Sequence, residues 1–579
     1  MPDVMPPSAK SSLHAHYALR LQKTTASAGF CACLPVDAPD WNEALNYLKE
    51  HPLDDFMRTY LLGQIGGFEP QRLSSLIETT PVEETVLRAL WYEACLLYES
   101  FLDLIPLFKA SEHEVLASAT GLVYIKASLS ADHGVHQSWM PLVNANHYDH
   151  QLLPDPSALD LEHPFTSAIL QKVNQVPCHL SEVVAALEAQ HPPTATRPPP
   201  EKTAARALAK LGQAGVLAGE EMRHVSSLSL YGLLRKWHFC FPVRCGRHAF
   251  AFSGTQTAYG RGLSLEAARA SYAMEIVERC SAFAGFGPNG PEGYAQTYPL
   301  VNATYSELRA QGRKALDPNT LALEAPYADD RLYWMQGQLR TTDGMESILV
   351  PCQCVFLFSN LDEVSLFSGL GSTGLASGNT MAEAKLSALL ELIERDGEAT
   401  SPYHPSRCFL VAAEDPRIAS LLEDYWLRGI HMIFQDISPP YGVPCCKCFV
   451  VGLDGQIAKG AGAHLDGQRA VLSALTETPY PYPYGPPSKP VPDDLPVLRF
   501  EALPNFSSGN PEQDLMRLEN TLIGNNLRPI YVDLTRSDLD LPVVRAIVPG
   551  LELMTDFDRF ARVSPRYFAN YLSLFTEDS

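Results

Sequence analysis

The chain has 579 residues, which is too long for one ordinary hydrophobic core, so we expect two or more domains. Hydrophobic residues make up 46% and charged residues 19%, a composition typical of a folded globular protein. The formal net charge of −22 would repel nucleic-acid phosphates and anionic membranes. We therefore expect neither nucleic acid nor a membrane as a partner.

The start of the chain and the cysteines indicate a cytoplasmic protein. The first residues lack the basic start and apolar core of a secretory signal, and no apolar run approaches the length of about 18 residues that spans a membrane. The thirteen cysteines are an odd number, and their C-x-C and Cys445-Cys446-x-Cys448 spacings are not expected to form a zinc site. Within strand-like apolar runs such as "VPCQCVFLF", cysteines are usually small core residues.

The chain divides into two parts with different predicted secondary structure. Residues 1–190 are predicted to form an all-α domain, because runs such as "DWNEALNYLKEHPLDDFMRTYLLGQI" carry apolar residues at helical spacing. The spacing of these predicted helices loosely resembles that of helical-hairpin repeats, but the sequence shows no self-similar period. The proline-rich residues 191–204 are predicted to be a linker. We expect the helical part to dock a substrate or partner protein.

Residues 205–579 are predicted to form an α/β (α+β) domain with an internal duplication. Strand-like runs such as "YGVPCCKCFVVGLD" and "LRPIYVDLT" alternate with strong helical patterns. The segment "PYPYPYGPPSKPVPDDLP" interrupts them and is expected to be an exposed loop or a linker between subdomains.

A helical pattern occurs three times in this second part. Its copies are "GRGLSLEAARASYAMEIVER", "ASGNTMAEAKLSALLELIER" and the weaker "AHLDGQRAVLSALTETPY". Ser264, Thr380 and Asp466 are predicted N-caps, and each is followed by Ala four, Ser seven and Glu eleven positions later. Those offsets share one helical face, which is lined by small residues and ends in a carboxylate.

The first two copies continue as Glu-x-x-Glu-Arg, which predicts a metal site. Four glutamates brought together by the duplication would repel one another unless a cation were present, and hard oxygen ligands suit Mg²⁺. The predicted ligands are Glu275, Glu278, Glu391 and Glu394. The alternative is a solvated face with internal ion pairs, with Glu383 forming only a capping box. The Gly- and Ser-rich loop from Gly369 to Thr380 leads into the second helix and predicts a phosphate or nucleotide site.

These segments resemble a known family. "YGRGLSLEAARASYAMEIVER" and "STGLASGNTMAEAKLSALLELIERD" look like the two signature segments of the YcaO family, "GAGAHLDGQRAVLSALTE" resembles a third, and "DLPVVRAIVPGLE" resembles its C-terminal strand. The four segments follow the family's order within residues 205–579, which predicts a YcaO-like domain there. The resemblance does not extend to the N-terminal part.

The resemblance implies a chemistry. YcaO proteins bind ATP and Mg²⁺ and phosphorylate the oxygen of a peptide amide that a nucleophile has attacked, and loss of phosphate leaves an azoline, a thioamide or an amidine. The four glutamates named above match the family's metal ligands. The positions that match its nucleotide-contacting residues are Arg261, Ser271, Asn379, Glu383, Arg395 and Arg545. No catalytic base is evident, since His464, which resembles a family position, is of a kind that usually packs or caps.

Two departures from the family pattern shape the expected reaction. The third segment has Thr478 where the family usually has Gln, and the sequence lacks the Pro-x-Pro-x-Pro tail of azoline-forming members. We therefore expect thioamide formation, or support of protein methylthiolation, rather than azoline formation. An azoline- or amidine-forming cyclodehydratase and a non-catalytic scaffold remain the alternatives. The expected partners are a peptide or protein substrate and a separate protein that presents it or delivers sulfide, and a homodimer is left open.

Overall fold

The computed structural model describes residues 14–22, 30–173, 175–188, 197–553 and 557–575. Within that part of the chain, helices pack on three β-sheets, which confirms the mixed α/β class. The N-terminal region is rich in helices, as predicted, and also contributes two strands that helical periodicity did not indicate. No helix of the described residues has the length and apolar character needed to cross a lipid bilayer.

The helices and strands are numbered in chain order. The helices are α1 (Trp41–Glu50), α2 (Asp55–Ile65), α3 (Pro70–Thr79), α4 (Thr85–Leu97), α5 (His113–Ser118), α6 (Tyr124–Ser128), α7 (His133–Asp149), α8 (Ser167–Val173), α9 (Leu180–Glu188), α10 (Pro200–Gln213), α11 (Leu265–Ala282), α12 (Tyr305–Ala310), α13 (Met381–Thr400), α14 (Pro416–Leu427), α15 (Gly467–Glu477), α16 (Pro511–Gly524) and α17 (Pro565–Ser573). The strands are β1 (Ala15–Gln22), β2 (Phe30–Pro35), β3 (Leu217–Arg223), β4 (Tyr231–Cys245), β5 (His248–Gly262), β6 (Phe286–Gly287), β7 (Gly290–Pro291), β8 (Val301–Ala303), β9 (Leu332–Thr341), β10 (Gly344–Pro351), β11 (Leu375–Ser377), β12 (Cys408–Ala412), β13 (Ile433–Asp436), β14 (Cys445–Val451), β15 (Ile457–Ala463), β16 (Val497–Arg499), β17 (Ile530–Asp533) and β18 (Val543–Ile547).

The first sheet joins the N-terminal region to the rest of the chain. Its order is β2-β1-β5-β4-β6-β7, with β3 paired to β4. Strand β1 runs parallel to β5, so that Ala15 lies opposite Phe250. The Tyr17 ring packs edge-on against Phe56 of α2 and against Phe250, with both pairs of ring centroids 5.3 Å apart. One hydrophobic core therefore contains both ends of this sheet.

Asp54 fastens α2 to the second part of the chain. It is fully buried, and its carboxylate accepts hydrogen bonds from the Tyr17 and Tyr47 hydroxyls at 2.8 and 2.9 Å and from the Asn360 amide at 2.9 Å. It also accepts the N–H groups of Phe56 and Met57 and thereby caps α2. Because a buried carboxylate is stable only when its lone pairs are satisfied, the two parts of the chain depend on each other here.

The predicted linker is partly helical. Residues 191–196 lie outside the described residues, but α10 begins at Pro200, inside the expected linker. Proline suits the first turn of a helix because its missing N–H has no intrahelical partner there and its φ angle is already helical. Proline content alone therefore did not separate a linker from a helix start.

The third sheet has the order β15-β14-β13-β12-β16, and the proline-rich segment near residue 480 packs partly against the same core. Tyr480 and Tyr482 are buried, and Tyr482 packs edge-on against Tyr425 with the ring centroids 4.7 Å apart. Only Tyr484 of the three tyrosines is exposed. Most of the segment is the exposed loop that the sequence predicted, and Tyr480 and Tyr482 anchor it in the core around α14. Within the described residues none of the thirteen cysteines forms a disulfide and ten are buried, which confirms that they are mainly core residues.

The shared core generates a prediction about residues 1–190. Their deletion would remove β1 from the parallel edge of β5 and expose the apolar surface beneath α2, so we expect loss of soluble, folded protein and, with it, of ATP binding. Size-exclusion chromatography and near-ultraviolet circular dichroism would measure this. As a control, a protease site inserted between Glu188 and Arg197 should give two fragments that elute together. A soluble deletion variant that still binds ATP would contradict the prediction.

Candidate nucleotide and metal site

The three repeated helices are α11, α13 and α15, and their predicted N-caps are confirmed. The Ser264, Thr380 and Asp466 side chains accept hydrogen bonds from the backbone N–H groups of Ala267, Glu383 and Gln468. The alanines four positions after each cap, Ala268, Ala384 and Ala470, are 0–1% exposed.

Glycines let each helix lie directly on the backbone that precedes it. A Cβ added to Gly260 would lie 1.9 Å from the Ala268 carbonyl oxygen, and one added to Gly462 would lie 2.4 Å from that of Ala470. At α13 a Cβ on Gly378 would lie 2.4 Å from the nitrogen of Ala384. The small residues of the repeated pattern are therefore required by backbone contact, and they fix where each helix directs its glutamates.

The glutamates of the three helices meet in one cluster. Burial raises the pKa of Glu278, and repulsion from Glu391 and Glu275 raises it further. Burial and the charge of Glu477 likewise raise the pKa of Glu394. The side chains of Glu275, Glu278 and Glu394 are 30, 16 and 11% exposed, so solvent can reach them.

Arginines are interleaved with these carboxylates. The Arg279 Nε atom lies 3.9 Å from Glu275 and 3.6 Å from Glu278, and Arg395 lies 3.4 Å from Glu394. Arg545 is 1% exposed and donates to the Gly371 carbonyl at 3.1 Å, but its buried Nε atom has no hydrogen-bond partner among the described residues. Burial lowers the pKa of Arg545 to about 10, and Glu391 opposes that shift.

Arg261 completes the cluster from the end of β5. Burial raises the pKa of Glu477, and the charge of Arg261 opposes this shift. The buried Nε atom of Arg261 also lacks a hydrogen-bond partner in the described part of the chain. The cluster holds six glutamates and four arginines, a surplus of two negative charges, and its members are Glu275, Glu278, Glu391, Glu394, Glu398, Glu477, Arg261, Arg279, Arg395 and Arg545.

This donor set fits Mg²⁺ and phosphate. Carboxylate oxygens are the hard ligands that Mg²⁺ prefers, and a divalent cation would offset both the charge surplus and the mutual repulsion. The unpartnered Nε atoms of Arg261 and Arg545 are donors suited to phosphoryl oxygens. Among the described residues no three His, Cys, Asp or Glu side chains already stand at coordinating positions, so the carboxylates are gathered without yet forming a closed metal cage.

A second polar group lies at the start of α13. The Glu383 carboxylate accepts hydrogen bonds from the backbone N–H and the side-chain amide of Asn379, both at 3.0 Å, and Asn379 accepts one from the Thr203 hydroxyl at 3.1 Å. Glu383 and Glu391 are eight residues apart on one helix, about 12 Å along its axis. An added Cβ at Gly369 or Gly371 would meet nothing within 4 Å, so the preceding loop is open to a ligand.

Ser271 and His464 occupy different surroundings. Ser271 is exposed on α11, one turn before Glu275. The His464 Nδ1 atom accepts the backbone N–H of Asp466 at 2.9 Å, and burial lowers the pKa of this histidine to about 3. His464 is therefore a neutral capping residue at neutral pH, in keeping with the sequence analysis.

The sequence analysis did not include three residues of the site, namely Glu477, Glu398 and Lys447. Glu477 had a clear signal, because it stands at the same offset from its cap as Glu275 and Glu391. Thr478, the departure from the family pattern, donates its hydroxyl to the Ala474 carbonyl at 2.8 Å and leaves Glu477 in the cluster. Glu398 also had a signal, since it lies one turn beyond Glu394 on α13, where Arg395 binds it at 2.7 Å.

Lys447 had no such signal, because a single lysine in "CCKCFVV" reads as an outward-facing strand position. It is 3% exposed, and its amine forms no hydrogen bond or ion pair with any described residue. Burial lowers the pKa of Lys447 to about 7, Lys459 lowers it further and Glu398 opposes the shift. The site thus has an amine that can be neutral near its carboxylates.

Comparison with known proteins identifies the family. A family model described as YcaO cyclodehydratase, ATP- and Mg²⁺-binding, matches residues 259–479 and 481–552, just over half of the chain. The chain belongs to the YcaO family, and ATP and Mg²⁺ are its cofactors. An uncharacterized protein of Methanothermobacter thermautotrophicus is 29% identical over 396 residues, which are 61% of this chain and 94% of that protein.

Two solved structures are similar at lower identity. A heterocyclase in complex with substrate and cofactor is 20% identical with a TM-score of 0.47, over 63% of this chain and 55% of the heterocyclase. The YcaO protein of Methanopyrus kandleri bound with AMPPCP and Mg²⁺ is 21% identical with a TM-score of 0.43, over 61% of this chain and 91% of that protein. This chain thus spans only about half the length of the heterocyclase.

The buried amine of Lys447 generates a prediction about pH. Between pH 7 and the ordinary lysine pKa of about 10.4, Lys447 is protonated more fully in the unfolded chain than in the folded chain. The free energy of unfolding therefore rises with pH in this range because of Lys447. Below pH 7 the charged amine carries its full burial cost. Lys447→Met should therefore raise the unfolding temperature at pH 6. The corresponding gain in the free energy of unfolding is up to about 4 kcal/mol at pH 6 and much smaller at pH 10.

Scanning calorimetry at both pH values would measure the difference, with Lys447→Arg as the control that keeps the charge. An equal change in unfolding temperature at pH 6 and pH 10 would contradict the prediction.

Proposed function

We propose that this chain uses ATP and Mg²⁺ to phosphorylate the oxygen of a backbone amide in a peptide or protein. The observation that carries the proposal is the cluster of six glutamates and four arginines in one cleft. Bound Mg²⁺ would offset the triphosphate charge and help position the γ-phosphoryl group. Glu275, Glu278, Glu391 and Glu394 are the proposed ligands.

The chain's own residues would hold and orient the nucleotide. Arg261, Arg395 and Arg545 direct guanidinium groups into the cluster and suit phosphate oxygens that carry spread charge. Asn379 and Glu383 lie at the N-terminal end of α13 and offer amide and carboxylate groups to the nucleotide. Ser271, exposed one turn before Glu275, completes the proposed contacts at the rim.

The attacking nucleophile is proposed to come from outside the described chain. Three thiols interact with the charged cluster, and all three are buried: Cys354, Cys445 and Cys446. Burial raises the pKa of Cys354 to about 12 and those of Cys445 and Cys446 well above their ordinary values, so none is a ready thiolate. A substrate side chain, which gives an azoline, and sulfide, which gives a thioamide, would each come from outside this chain. We propose sulfide delivered by a separate protein, to give a thioamide or to support methylthiolation, in line with the sequence analysis.

The metal and nucleotide assignment is tested by calorimetry of ATP binding in Mg²⁺. Glu391→Ala and Glu278→Ala should each weaken binding by at least about tenfold, because each removes a carboxylate from the cluster. Glu346→Ala, which removes an exposed carboxylate paired with Lys314, is the matched control and should bind normally. Full-strength binding by both cluster variants would refute the metal assignment.

The reaction is tested by intact mass spectrometry of candidate peptides expressed together with the chain. Replacement of an amide oxygen by sulfur should add about 16 Da per site, as in the proposed thioamide. A loss of about 18 Da would indicate azoline or amidine formation instead. Unchanged peptide mass with ATP still bound would favour a scaffold or accessory role. The Glu391→Ala variant is the control for chemistry that does not depend on the cluster.

A further inference from the structure

Arg197 lies beside the polar pair at the start of α13. Its Nε atom is 3.5 Å from one carboxylate oxygen of Glu383, whose other oxygen accepts both hydrogen bonds from Asn379. Arg197 comes from the segment that precedes α10, so it reaches the site from more than 60 residues before the part of the chain that matches the family model.

The guanidinium of Arg197 is only partly used by these contacts. Its side chain keeps 35% of its exposure, and its terminal Nη atoms form no hydrogen bond with any described residue. Burial lowers the pKa of Arg197, while the Glu383 and Asp514 carboxylates oppose the shift and Arg469 adds to it. A partly desolvated cation with free donors is a group that an anionic ligand would stabilise.

Helix α10 holds Arg197 in place. Thr203, in its first turn, donates its hydroxyl to the Asn379 side-chain oxygen at 3.1 Å, and Arg206 lies 3.5 Å from the Asn379 carbonyl oxygen. Prolines 198, 199 and 200 restrict the backbone between Arg197 and these contacts. The arginine is therefore positioned against Asn379 and Glu383 by the same helix that binds Asn379.

We propose that Arg197 binds the phosphate chain of the nucleotide, which rests on the proposed function of Asn379 and Glu383. A planar guanidinium with two free Nη groups can hold two phosphate oxygens at once. Arg197 also neutralises Glu383, whose carboxylate would otherwise repel the phosphates at this end of the cleft. The nucleotide site is then completed by a residue outside the matched segments.

The test is calorimetry of Arg197→Ala and Arg197→Lys with ATP plus Mg²⁺ and with adenosine. Arg197→Ala should bind ATP about tenfold more weakly, the loss expected when a charged hydrogen-bond pair to phosphate is removed, and adenosine with unchanged affinity. Arg197→Lys, which keeps the charge without the planar group, should bind ATP with intermediate affinity. Lys210→Ala is the matched control, since it removes a positive charge from α10, the helix that follows Arg197, at its pair with Asp540.

Unchanged or tighter ATP binding by Arg197→Ala would overturn the proposal, and tighter binding would make Arg197 a group that obstructs the site. An equal loss for adenosine would overturn the assignment to phosphate. Unfolding temperatures of the variants exclude a loss caused by misfolding. Failure of the proposed metal site is distinguishable, because it would appear as normal ATP binding by Glu391→Ala and Glu278→Ala whatever Arg197→Ala does.

Discussion

Electrostatic repulsion among buried carboxylates is the constraint around which this protein is organised. Glutamates from three helices raise one another's pKa in a cleft, and arginines from α11, α13, β5 and β18 offset most, but not all, of their charge. Such an arrangement is costly in a protein without a ligand, since each buried charge loses hydration that its neighbours only partly replace. Buried charges that destabilise a fold in this way are expected where they bind a ligand, as these would bind Mg²⁺ and a triphosphate.

The geometry of the cluster follows from contacts between small residues. Gly260, Gly378 and Gly462 touch the helical turns that contain Ala268, Ala384 and Ala470, so each helix is seated at one height and one rotation. The glutamate eleven positions after each cap is then directed to the same region. Small residues far from the chemistry thereby determine the distances between the charged groups, and a methyl group added at any of these glycines would displace a whole helix.

Much of this site was predictable from sequence because its signals are local. N-caps at Ser264, Thr380 and Asp466, and the equal offsets that follow them, can be counted along the chain. Lys447 could not be recognised, because its burial depends on α13 packing over β14. The pairing of β1 with β5 joins segments far apart in sequence, and helical periodicity contains no information about it. Tyr480 and Tyr482 were misplaced for the same reason, since composition indicates polarity but not which side of a segment meets the core.

The position of β1 has a consequence for how the chain folds during synthesis. His16 and Ser253, which share a hydrogen bond between these parallel strands, are 237 residues apart. At a synthesis rate of about 5–20 residues per second, β1 would wait roughly 10–50 s for its partner to leave the ribosome. During that time its apolar side chains and open backbone edge are exposed to other chains. Strand β1 is therefore made well before it is secured, and a chaperone would be most useful during that interval.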